Sequence, residues 1–143
     1  MFLGTHAPRL DEKGRLVLPA KFRDGVEDGL VMVKGQEHSI VVWPAAAFEA
    51  YAGRLNEASR SDSRVRAHLR VLFSGAFDEV PDKQGRVTVP PALRSYAGLD
   101  RDVVVVGNGS TFEIWDAQSW ETYLASQEGA YADISEEVVP GVL

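Results

Sequence analysis

The sequence predicts an α+β fold built from two copies of one small unit related by a pseudo-two-fold axis. Three observations predict it. First, DEKGRLVLPAKFR at residues 11–23 returns as DKQGRVTVPPALR at residues 82–94. Asp11, Gly14, Arg15, Leu16, Leu18, Pro19 and Arg23 match Asp82, Gly85, Arg86, Val87, Val89, Pro90 and Arg94, each 71 places on. A unit of this length is too long for a solenoid repeat and points to a duplicated small domain. Second, two short β-branched runs around a turn follow each copy, the pattern of a hairpin. Third, aromatic residues at helical spacing follow each hairpin.

The elements follow in order. Phe2 to Leu10 leads into a turn at Asp11–Gly14, and Arg15–Leu18 is a short strand closed by Pro19. Proline suits the first helical position, so residues 19–25 form one or two helical turns ending at Gly25. Leu30–Val33 and Ser39–Trp43 form a hairpin across Lys34–His38. Pro44 starts a helix with Phe48, Tyr51 and Leu55 on one face. Ser61-Asp62 caps a connecting helix through Val65, Leu69 and Leu72, with Arg64, Arg66 and Arg70 outside.

The second unit repeats the plan. Arg86–Val89 is its strand, and Pro90 and Pro91 open a short helix that Gly98 ends. Val103–Val106 and Thr111–Trp115 pair around Gly107-Asn108-Gly109. Asp116 caps a helix that turns Trp120, Tyr123 and Leu124 inward. The match also extends outward. Phe2 and Gly4 correspond to Phe73 and Gly75, while Gly35, Trp43, Phe48 and Tyr51 correspond to Gly107, Trp115, Trp120 and Tyr123 at offset 72. One residue is thus gained or lost between the motif and the next strand. The units span residues 1–60 and 73–127, joined by 61–72, and 128–143 reads as a loosely held acidic tail.

Composition narrows the function classes. A hydrophobic fraction of 45% and a charged fraction of 25% are those of a soluble globular chain. No apolar run is long enough to span a bilayer, and no signal-peptide pattern opens the chain, so a cytoplasmic location is expected. The absence of cysteine excludes disulfides, a thiolate nucleophile and cysteine metal sites. Net charge is −6, but residues 102–143 hold 8 acids and no base, whereas all 15 Lys and Arg precede them. This asymmetry fits either an anionic partner for the first part or a solubilising acidic end.

The motif has a physical reading of its own. Asp11 and Asp82 can accept backbone N–H bonds that tighten each bend, and Gly14 and Gly85 can take a positive φ. Arg15 and Arg86 leave the turns at strand starts. They either brace the turn against Asp11 and Asp82 or present guanidinium groups to phosphates and guanine edges. The copies differ in charge. Residues 9–23 carry Arg9, Lys13, Arg15, Lys21 and Arg23 for a net +3, whereas residues 78–94, with Lys83, Arg86 and Arg94, are neutral. Copy one is therefore expected to carry most of the anion contact, with Arg86 and Lys83 as secondary contacts.

Two copies of D-x-x-G-R-φ-x-φ-P-x-φ-R (φ apolar), the opening MFLG, and a hairpin ending in an aromatic before a helix resemble the MraZ family of the swapped-hairpin AbrB/SpoVT superfamily. The resemblance covers residues 1–127. It implies two tandem swapped-hairpin units forming a pseudo-two-fold β-barrel with flanking helices. It also implies a sequence-specific regulator of transcription that assembles as a homo-oligomeric ring. Such proteins bind double-stranded DNA at short direct repeats in the promoter of the division and cell-wall gene cluster that begins with their own gene. The DNA-contacting arginine of the family motif falls on Arg15, with Arg86 as its counterpart. A nucleoid-associated protein without cofactor, metal or small-molecule substrate is expected.

Two rival readings fit parts of the sequence. Asp11 and Asp82 could form a catalytic carboxylate pair, but each sits where a turn wants Asp. His6, His38 and His68 show no metal spacing, and the serines lack a nucleophile-elbow sequence. An enzyme is not expected. The other rival is an AbrB-like antitoxin or protein-interaction module on the same fold. Trp43, Trp115 and Trp120 read as packing residues.

Overall fold

A computed structural model describes residues 1–143. Its elements are β1 (Thr5–His6), β2 (Arg15–Val17), α1 (Ala20–Arg23), β3 (Leu30–Lys34), β4 (Ile40–Pro44), α2 (Ala45–Asn56) and α3 (Ser63–Ser74) in the first half. The second half holds β5 (Phe77–Glu79), β6 (Arg86–Thr88), α4 (Pro91–Tyr96), β7 (Val103–Gly107), β8 (Phe112–Asp116) and α5 (Ala117–Asp133). Six strands form an antiparallel sheet in the order β1-β7-β8-β4-β3-β5, and β2 pairs with β6 as a separate two-stranded ribbon.

Strand pleating sorts the side chains into three layers. Alternate residues of a strand face opposite sides. Leu30, Met32, Ile40, Val42, Val103, Val105, Phe112 and Ile114 point to one face of the sheet. There they meet Leu16, Leu18, Val87 and Val89 of the ribbon, with Phe22 and Leu93 of α1 and α4. Phe22 is buried against Phe2 and Phe112, whose ring centroids lie 5.3 and 5.1 Å away. On the other face, Val31 and Val33 pack with Phe48 of α2 and Leu72 of α3. Val104, Val106 and Trp115 pack there with Trp120 and Tyr123 of α5. The ribbon and the long helices therefore lie on opposite sides of the molecule.

The pairings carry the pseudo-two-fold. In the ribbon, Leu16 pairs with Val87, its own repeat counterpart, while Arg15 pairs with Thr88 and Val17 with Arg86. At the sheet centre, Val41 pairs with its counterpart Glu113, flanked by Ile40–Ile114 and Val42–Phe112. Each unit lends its first strand to the other: β1 pairs on β7, and β5 on β3.

Several expectations are corrected. The barrel is not closed. The sheet ends on the very short strands β1 and β5, which do not pair with each other, and the ribbon lies across the core as its own sheet. The offset of 72 has two parts. The turn after β3 is one residue longer than that after β7, since Lys34–Ile40 and Gly107–Phe112 close the hairpins. Two residues are gained between ribbon and hairpin in the second unit, where α4 is six residues long and α1 four. Phe2 and Phe73 are not equivalent: Phe2 bridges Gly109 beside the sheet, whereas Phe73 lies in α3. The last helix runs on to Asp133, so residues 128–133 are helical, and Leu124 is exposed and not turned inward, like every residue after it.

Candidate nucleic-acid interface

The two motif turns are built alike. Asp11 Oδ1 accepts the backbone N–H groups of Lys13 and Arg15, both at 2.9 Å. Asp82 Oδ1 accepts those of Gln84 and Arg86 at the same distance. Gly14 and Gly85 take φ of 75° and 74°, which a side chain would oppose. The backbone bond from Arg15, followed by the bond from its side chain, holds the Asp11 carboxyl below its usual value of 3.8. Arg86 lowers Asp82 in the same way.

Both arginines are braced. Arg15 Nε donates to Asp11 Oδ2 at 2.8 Å, and Arg86 Nε donates to Asp82 Oδ2 at 2.7 Å. The bracing alternative thus describes the free protein, and it does not sequester the charges. The side chains remain 30% and 33% exposed, and the terminal Nη groups donate to no protein acceptor. A guanidinium anchored through Nε keeps a two-pronged Nη end in a fixed direction. Because Leu16 and Val87 face the core, pleating places Arg15, Val17, Arg86 and Thr88 together on the outer face of the ribbon. Arg15 and Arg86 are diagonal neighbours, roughly 7–8 Å apart.

The other predicted residues divide. Lys13, Lys21 and Lys83 are exposed around this face and make no ion pair. Arg9 is exposed and paired with Asp102 at 3.0 Å. Arg23 has another role. Its Nε is buried without an acceptor, and its guanidinium covers Gly85 of the other unit. Arg94 reciprocates over Gly14 while donating to Val89 O at 2.6 Å. This pair of crossed arginines was not legible as such, because the repeat gives each residue's counterpart and not its neighbour.

Antiparallel pairing also mixes the copies. Val89 N–H donates to Gly14 O, and Leu18 N–H donates to Gly85 O. The first turn therefore sits beside α4, and the second beside α1. Glu79 Oε2 accepts Thr88 N–H at 2.8 Å, placing an acid on the Arg15 side of the ribbon. Lys21 and Arg23, counted with the first copy, belong to the Arg86 end. The positive excess of copy one is thus divided between two ends, and the Arg86 end receives the larger share.

The histidines occupy separate contacts. His6 packs edge-on against Phe22, His38 Nδ1 lies 3.1 Å from Tyr96 O, and His68 is exposed on α3. Trp43 stacks on Tyr51 at 4.6 Å, and Trp115 packs with Trp120 and Tyr123. No helix is long and apolar enough to cross a membrane.

Comparison with known proteins agrees with the duplication. A family model described as "MraZ protein, putative antitoxin-like" matches twice, over residues 1–71 and 72–139. A protein of Leifsonia xyli subsp. xyli named transcriptional regulator MraZ is 59% identical over 99% of both chains. One of Micrococcus luteus with the same name is 58% identical over 99% of both. One of Kineococcus radiotolerans is 54% identical over the full length of both. The match of both halves and the identity along the whole chain establish the family: this chain belongs to the MraZ family.

Proposed function

We propose that the protein is a sequence-specific DNA-binding regulator of transcription that inserts the outer face of its β2–β6 ribbon into the major groove. The observation that carries this reading is the pair Arg15 and Arg86, displayed from one two-stranded ribbon with their Nη ends free. A two-stranded ribbon fits a groove about 12 Å wide, and an arginine fork matches guanine O6 and N7. Lys13, Lys21 and Lys83 supply phosphate contacts beside it, and Arg23 holds the second turn in place, whereas Arg9 is held by Asp102 beside Asp116 and Glu121 at the start of α5. The relatives' name, transcriptional regulator, supports the same reading.

The exchange of β1 and β5 between the halves is, in this reading, the swapped hairpin of the AbrB/SpoVT superfamily. One chain supplies both halves of a binding unit. Its few phosphate contacts bind weakly alone, so several copies in a ring engage short direct repeats by avidity. A cyclic array suits direct repeats, as a two-fold dimer suits a palindrome. The target is the promoter of the division and cell-wall cluster that begins with the protein's own gene. The protein acts in the cytoplasm at the nucleoid, without catalysis.

The test is a gel shift of the DNA upstream of its own gene, with size-exclusion of the free protein. A shift that falls several log units per log unit of salt is expected, because each neutralised phosphate releases counterions. A log–log slope near −1 contradicts multi-site contact. The family's description as antitoxin-like favours a second reading, a protein-interaction module. In that case a protein partner binds and the DNA does not shift.

A further inference from the structure

The outer face of the ribbon carries four side chains, and the pseudo-two-fold treats them unequally. Arg15 and Arg86 exchange with each other, so the symmetry is kept. Val17 and Thr88 also exchange, and there it breaks. Val17 is 49% exposed, an aliphatic side chain on a face with no apolar neighbour to cover it. It pairs directly with Arg86, so their Cβ atoms lie about 4.5–5.5 Å apart. Thr88 is half-buried beside Arg15, with the Glu79 carboxylate on its backbone N–H.

Resting on the DNA-binding reading above, we infer that Val17 is a specificity-determining residue that reads the 5-methyl group of a thymine next to the guanine taken by Arg86. The chemistry is complementary. In the major groove only thymine among the four bases offers a methyl group, and an apolar side chain is its usual partner. An arginine and a valine side by side on one ribbon face ask for a polar double acceptor and a methyl on neighbouring base pairs. The Arg15 end asks for less. Its neighbour Thr88 is less exposed than Val17 and carries a hydroxyl, and the Glu79 carboxylate beside it opposes close approach of phosphate. The ribbon therefore reads a polar sequence with one orientation. Copies that face the same way around a ring then read repeats that face the same way.

The experiment separates this inference from the reading beneath it. DNA enriched from a random pool by the pure full-length protein is resynthesised with deoxyuridine replacing each thymine in turn, which removes only the methyl group. One thymine beside a guanine should cost roughly three- to fivefold in affinity, the size expected for one methyl group lost from apolar contact. Val17→Ser should bind the thymine DNA more weakly and show no penalty at that position. Val17→Ile and Thr88→Ser should keep it. If Val17→Ser retains the full penalty, or if no thymine shows one, the inference fails while DNA binding stands. If no sequence is enriched at all, both fail.

Discussion

At the scale of single residues, the site depends on a carboxylate that positions a cation. Asp11 organises its turn through Oδ1 and holds Arg15 Nε through Oδ2. Charge alone predicts that Asp11→Asn binds DNA more tightly, since a negative charge leaves the interface. Positioning predicts the reverse: specific binding falls several-fold, while binding to random DNA is unchanged or stronger. Titration of both DNAs against the variant decides between them. Acid stability follows the same pairs. Because both aspartates are lowered below 3.8 in the fold, their contribution is fully present above that value and is lost as pH falls through the lowered values. The stability difference between wild type and Asp11→Asn/Asp82→Asn should therefore persist at pH 5 and close below 3.8. Urea midpoints across that range measure it, and a difference that widens with acid would contradict the assignment.

At the scale of elements, the turns are locked across the repeat. A Cβ at Gly14 would meet the Arg94 guanidinium, and its φ of 75° already opposes a side chain. Gly14→Ala should destabilise by at least about 1–2 kcal/mol, the cost of a left-handed residue, read by denaturant unfolding. Phe22→Ala should cost about 3–5 kcal/mol because it empties the centre of the core between ribbon and sheet. These elements were legible locally. Pro19 and Pro90, Asp62 and Asp116, and the alternating Val and Ile runs each mark their boundaries through one residue's own chemistry. The pairing partners were not legible. Nothing in Leu16 states that it meets Val87, or that Arg23 reaches Gly85, because those neighbours are fixed by the exchange of strands between units. The charge tally by copy ran in sequence order, whereas charge acts in space. For that reason Arg86→Ala should weaken binding at least as much as Arg15→Ala, against the expectation from composition.

At the scale of the whole molecule, the sheet separates a ribbon side from a helical side. The ribbon lies on one side, and α2, α3 and α5 lie on the other. From Leu124 to Leu143 every residue is exposed, and four acids and no base lie among them. Deleting residues 134–143 should leave the melting temperature unchanged, since no core residue is lost. The chain has other cations on α3, where Arg64 is exposed and paired with Asp62 and Arg70 is exposed, while Arg66, expected outside, is half-buried and donates to the Arg60 and Ser61 carbonyls. Their helix is the true rival for an anionic partner, and it lies behind the sheet from the ribbon. The most direct measurement compares two variants by titration against the same enriched DNA at fixed salt. Arg15→Ala/Arg86→Ala should lose at least about fivefold per arginine, as befits a lost guanine fork of about 1–3 kcal/mol, while Arg64→Ala/Arg70→Ala binds as wild type. Loss confined to the α3 variant, with the ribbon variant unaffected, would contradict the account.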